Sequence, residues 1–126
     1  MAHVLDSSAL LALILAEPGG DVVEPLLGEA VISAVNLCEV ASKLIDRGYG
    51  PDETAEGLKR SEIDVEPVTE GDALAAARLR PVTRSVGLSL GDRLCLALAG
   101  RLQCPAFTAD RRWGELAVGI EVQLIR

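Results

Sequence analysis

Asp6, Glu39, Asp92 and Asp110 each stand where an apolar stretch meets a turn or a helix start, in Val4-Leu5-Asp6-Ser7-Ser8-Ala9, Asn36-Leu37-Cys38-Glu39, Leu88-Ser89-Leu90-Gly91-Asp92-Arg93 and Phe107-Thr108-Ala109-Asp110-Arg111. An ionised carboxylate beside core-forming residues is tolerated only when it is paired, hydrogen-bonded or metal-bound. Four of them at comparable junctions point to one shared metal site. Carboxylate oxygens suit Mg²⁺ or Mn²⁺ far better than Zn²⁺, and about two such ions would neutralise four carboxylates, an arrangement suited to hydrolysing a phosphodiester with a metal-activated water. Without a cation the same cluster would repel itself and push its pKa values up.

Taken singly, each acid also has a plainer role. Asp92 with Ser89 forms a capping box, Glu39 with Lys43 an i, i+4 ion pair, Asp110 with Arg111 a turn, and Asp6 a cap for the next helix. Ser8 and Thr108 are short hydroxyls beside these acids, able to orient a carboxylate or to act as caps. Arg84, Arg93, Arg111 and Arg112 flank the acids and are candidate contacts for the phosphates of a substrate, with solvated surface arginine as the alternative. His3 reads as a structural residue and Trp113 as a packing anchor. With one Trp, one Tyr and one Phe in the chain, no base-stacking platform is evident.

The elements that must place these residues alternate. Short apolar strands are expected at 3–6, 30–33, 65–68, 105–108 and 121–125. Helices are expected over 7–17 with Ser7 or Ser8 as cap, 21–27, 35–47, 52–61, 69–80 stopped by Pro81, and 89–102, with a helical turn at 113–116; residues 81–88 read as a basic loop. The 94–99 stretch is apolar all round and is expected to be buried. Strand–helix alternation predicts an α/β fold, a parallel sheet of about five short strands covered on both faces. Asp6 and Asp110 fall at strand carboxyl ends, where open α/β sheets bind ligands. Glu39 and Asp92 are expected in first helical turns, where the helix dipole favours negative charge.

The 126 residues fit a single domain, 1–126, with one core. Hydrophobic residues make up 49% but aromatics 2%, so Leu, Val, Ile and Ala must build that core. A net charge of −7 argues against a general electrostatic grip on nucleic acid or anionic membrane. Three cysteines without close spacing read as buried free thiols of a cytoplasmic protein, and the longest apolar run, 9–16, is too short to span a bilayer or to act as a secretory signal. The expectation is a soluble, intracellular, mature chain.

Together the four motifs, in this order, resemble a PIN-domain ribonuclease of the VapC-like toxin type, over essentially the whole chain: Leu5-Asp6-Ser7-Ser8-Ala9-Leu10, the segment from Ser33 to Val40 ending in Cys38-Glu39-Val40, Gly87-Leu88-Ser89-Leu90-Gly91-Asp92-Arg93, and Thr108-Ala109-Asp110-Arg111. The resemblance implies a three-layer sandwich, commonly dimeric. It assigns metal-holding roles to Asp6, Glu39, Asp92 and Asp110, with support from Thr108 and Ser8. It further implies dependence on Mg²⁺ or Mn²⁺, cleavage of structured cellular RNA such as transfer or ribosomal RNA, and silencing by a cognate VapB-like antitoxin whose basic residue would enter the acidic pocket. A catalytically silent PIN-like module that binds RNA or a protein is the alternative. A phosphate-accepting receiver domain fits less well, since Asp6 is followed by Ser7-Ser8 rather than by a second acid and no Lys occurs after Lys59.

Overall fold

The computed structural model describes residues 2–126. Its five strands are β1 (His3–Leu5), β2 (Ala30–Ser33), β3 (Asp64–Glu66), β4 (Ala106–Thr108) and β5 (Val122–Leu124). All pair in parallel, in the spatial order β3-β2-β1-β4-β5. Parallel neighbours need crossovers, and these are supplied among the described residues by α1 (Ser7–Ile14), α2 (Gly20–Val23), α3 (Ala34–Asp46), α4 (Pro51–Lys59), α5 (Glu70–Arg78), α6 (Arg80–Thr83) and α7 (Leu90–Leu102). Three 3₁₀ turns, at 24–29, 84–86 and 111–115, complete the path.

Side-chain alternation along the strands divides the core into two layers. Leu5, Ala30 and Ile32 face one side, against Ala9, Leu10, Ala12, Val40 and Leu44 of α1 and α3. Val4, Val31 and Ala106 face the other, against Cys95, Leu96, Leu98 and Ala99 of α7 and the fully buried Trp113. The expected α/β three-layer sandwich is therefore present. The 94–99 stretch is buried throughout because α7 lies between the sheet and α5, whose Ala76 packs on Leu94 and Ala97.

Several local expectations are corrected. Residues 81–88 are not a loop: Pro81 sits in the first turn of α6, where its missing N–H costs nothing, and Arg84 opens the 3₁₀ turn that follows. The cap of α1 is neither Ser7 nor Ser8 but Asp6, which accepts the Ala9 amide. Glu39 is the sixth residue of α3 rather than part of its first turn, so hydrogen bonds and not the helix dipole must hold its charge. Cys38 is exposed, Cys104 half-buried and only Cys95 buried.

The strand order fixes where the chain can bind something. From β1 the sheet runs outward through β2 to β3 on one side and through β4 to β5 on the other, so the crevice at the carboxyl ends of β1 and β4 is the topological switch point. Leu5 is in register with Phe107, which sets Asp6 and Thr108 side by side at that rim.

Candidate metal-dependent active site

Asp6 follows β1 into the switch-point crevice and is 3% exposed. Its Oδ1 accepts the Ala9 amide at 2.8 Å and the Ser8 hydroxyl lies at 2.7 Å from the same oxygen, while Thr108 donates its hydroxyl to Oδ2 at 2.6 Å. Burial pushes this carboxyl from 3.8 up to about 6, the bonds from Thr108, Ala9 and Ser8 oppose the rise, and the charge of Asp92 adds to it. The two hydroxyls are also held from behind: Ser8 Oγ accepts the Ala109 amide at 2.9 Å and Thr108 Oγ1 the Asp110 amide at 3.0 Å. The ends of β1 and β4 are thus tied together through Asp6.

Asp92 lies in the first turn of α7, half-buried, and completes the capping box with Ser89: its Oδ2 accepts the Ser89 amide at 2.9 Å and Ser89 Oγ accepts the Asp92 amide at 3.2 Å. Its carboxyl is raised, first by burial and then by the negative charges of Asp110 and Glu39, against the pull of Ser89. Asp92 therefore feels two of the other acids and is felt by the third. The four carboxylates share one electrostatic neighbourhood centred on it.

Glu39 reaches this neighbourhood from α3. Its Oε1 accepts the Ser7 hydroxyl at 2.5 Å and the Asn36 amide at 2.8 Å. Asn36 is 1% exposed and also donates to the Gly91 carbonyl at 3.2 Å. Sequence reasoning passed over both Ser7 and Asn36. The signal available for Asn36 was its position three residues before Glu39, on the same face of a helix; for Ser7 it was only adjacency to Asp6.

Asp110 caps the 3₁₀ turn at 111–115 and is clasped by Arg112, not Arg111: Nε of Arg112 is 3.0 Å from Oδ1 and Nη2 is 2.6 Å from Oδ2. Arg112 lowers the Asp110 carboxyl, and burial opposes the shift only in part. Nη1 of Arg112 donates in addition to the Val86 carbonyl at 2.9 Å. Arg93 is half-buried and donates from Nη1 to the Ala76 carbonyl of α5 at 3.0 Å. Arg84 and Arg111 are exposed.

The plainer roles of Asp6 and Asp92 as caps are therefore filled as well as their places in the acid cluster. Among the described residues, no three His, Cys, Asp or Glu side chains already stand in the tight grouping of a finished metal cage. The donor set nevertheless fits a hard divalent cation. It consists of carboxylate and hydroxyl oxygens, and the Cys95 thiol, which feels Asp6, Asp92 and Glu39, is fully buried and pushed well up by that burial and by the acids. Burial is the main cause that raises Asp6 to about 6 and Asp92 in the same direction, and the neighbouring acids add to it, so a cation placed between them would relieve both.

Comparison with known proteins follows this geometry. Residues 3–119 match the family model of the PIN domain. No curated protein sequence matches the chain. Solved structures with the same fold include a toxin–antitoxin complex from Klebsiella pneumoniae (16% identity, TM-score 0.77, 99% of this chain and 98% of that one) and FitAcB from Neisseria gonorrhoeae (20% identity, TM-score 0.75, 98% and 97%). A third is VapC20 from Mycobacterium tuberculosis, described as a Sarcin-Ricin loop cleaving toxin (18% identity, TM-score 0.77, 94% and 96%). At these identities the likeness carries the fold.

Proposed function

The chain belongs to the PIN-domain family, and from that premise we propose that it is a divalent-metal-dependent endoribonuclease acting as the toxin of a toxin–antitoxin pair. The observation that carries this reading is the buried Asp6, raised to about 6, at the switch point of the sheet with Asp92, Glu39 and Asp110 in one electrostatic neighbourhood around it. A carboxylate buried there at the expense of stability is consistent with a site that receives a cation.

Asp6, Glu39, Asp92 and Asp110 would hold Mg²⁺ or Mn²⁺. When bound, such an ion supplies electrostatic stabilisation of a phosphodiester and a more acidic water at neutral pH. The residues of the chain do the rest. Ser8 and Thr108 orient Asp6, Ser89 fixes Asp92 against the α7 terminus, and the Asn36 and Ser7 donors fix Glu39. Arg84 and Arg111, exposed near these elements, are candidates to meet RNA phosphates, and Arg112 becomes a third if it releases Asp110. Arg93 is the weakest of the four, with one of its donors spent on α5. The net charge of −7 makes any RNA contact local, which suits a folded target such as transfer or ribosomal RNA.

The fold neighbours described as members of toxin–antitoxin systems support a VapB-like antitoxin as partner. The negative crevice would attract a basic side chain of that partner, and the proposed unit that it binds is a homodimer. Among the described residues no helix is long and apolar enough to cross a membrane.

The test is cleavage of total transfer and ribosomal RNA by the purified chain with Mg²⁺ or Mn²⁺. Cleavage should stop in EDTA and in Asp6→Asn and Asp92→Asn. Undiminished cleavage by both variants in EDTA would remove the nuclease reading, and metal binding without turnover on any RNA would favour a silent binding module.

A further inference from the structure

Asn36 presents a buried polar group whose own needs are not met. Its amide nitrogen donates to Glu39 Oε1 and to the Gly91 carbonyl, with Ser7 Oγ at 3.3 Å as a weaker third contact. Its Oδ1, buried with it, has no hydrogen-bond partner among the described residues. The orientation is set by the neighbours, since a carboxylate and a carbonyl accept only and can face nothing but the NH₂. Leaving a buried acceptor unsatisfied costs the desolvation of that group, so the two bonds donated from the other side of the amide need an explanation.

Gly91 supplies the other half of the arrangement. A Cβ built on it would lie 2.6 Å from Glu39 Oε2 and 2.7 Å from Oε1. The Glu39 carboxylate therefore occupies the space that a side chain at 91 would fill, directly against the first turn of α7 and one residue from Asp92. Gly91 is the second residue of α7, in its first turn. An orphaned acceptor on α3 and a missing side chain on α7 thus converge on the position of one carboxylate.

We propose that Asn36 is a positioning residue for Glu39: its amide clamps Oε1 to the Gly91 peptide, and the bay left by the missing side chain of Gly91 seats the carboxylate beside Asp92. The clamp sets the Glu39–Asp92 spacing on which cation affinity depends. This inference rests on the reading of Glu39 as a cation-holding acid and extends it to two residues that touch neither cation nor RNA.

Asn36→Leu keeps the branched shape and removes both the donor and the orphaned acceptor. Gly91→Ala keeps the Asn36 donor and fills the bay, so the Glu39 carboxylate must move off its seat. The measurement is the rise in thermal midpoint on titrating MnCl₂ into the purified protein, with Glu39→Gln alongside. Whatever their stability without metal, both folded variants should need about 10-fold more Mn²⁺ than the parent for half the shift. RNA cleavage should lose kcat with KM little changed. A parental Mn²⁺ midpoint in folded Asn36→Leu and Gly91→Ala, with a weakened one in Glu39→Gln, overturns the clamp and leaves the role of Glu39 standing. A parental midpoint in Glu39→Gln overturns both.

Discussion

The hydroxyl of Thr108 donates to the buried carboxylate of Asp6 across 2.6 Å although 102 positions separate the two residues in the chain. The bond exists because β1 and β4 are neighbours in parallel register, and it makes the site and the centre of the sheet one structure. Thr108→Val keeps the shape and removes the donor, and also strips the acceptor from the Asp110 amide. It should cost about 1.5–3 kcal/mol, the range for a hydrogen bond to a charged group. Urea unfolding at neutral pH measures this; a loss within error of zero would mean that the bond contributes nothing.

The pH dependence of stability should single out Asp6. Its carboxyl is at about 6 in the folded chain against 3.8 ordinarily, so the folded state holds the proton more tightly than the unfolded one. The stabilisation this gives is fully present below 3.8 and is lost as pH rises through 6. Asp6→Asn retains an oxygen for the Ala9 amide and never ionises. It should exceed the parent by roughly 3 kcal/mol at neutral pH and match it at about pH 3. Asp72 and Asp110, which shift the opposite way, are common to both proteins and cancel in the difference. Unfolding curves that run parallel from acid to neutral pH would contradict the assignment.

Arg112 spends its guanidinium on Asp110 and on the Val86 carbonyl, and so occupies a carboxylate that a cation would need. Arg112→Gln should therefore lower the Mn²⁺ concentration required for half-maximal thermal stabilisation, the opposite direction to Asn36→Leu. A higher requirement would show that Arg112 holds Asp110 in place for the cation instead of competing with it.

A control remote from the crevice is available between α5 and α7. Asp72, 4% exposed, takes two bonds from Arg101, at 2.8 and 3.1 Å. Burial pushes its carboxyl up, but Arg101 and Thr69 outweigh that and the net shift is down. The stability from this pairing is present above the ordinary carboxyl range and is lost as pH falls through it. Arg101→Leu strands the acid and should cost about 1.5–3 kcal/mol at neutral pH, less in acid, with the Mn²⁺ response unchanged. A changed Mn²⁺ response would couple α5 to the crevice.

What was legible in the sequence was local. The Ser89–Asp92 capping box and the helix over 90–102 could be read because residues three and four apart share a helix face, and the short strands could be read from their apolar runs between turn signals. The four acids stood out because a carboxylate beside apolar residues is costly wherever the chain goes. The 81–88 segment was misread because Pro81 marks a helix start as readily as a helix stop, and only the preceding turn of α5 decides which.

The sequence by itself therefore determined the alternation of strands with the main helices and the α/β class, and it marked four acids as costly, since each follows from periodicity or from the cost of charge near a core. The partnerships were decided by tertiary structure alone. Thr108 on Asp6, Ser7 and Asn36 on Glu39, the Glu39 carboxylate in the Gly91 bay, and Arg112 rather than Arg111 on Asp110 all depend on strand register and helix packing. Hydrogen bonds and close contacts act over about 3 Å, and no spacing along the chain reveals which distant atoms the fold will bring within that distance.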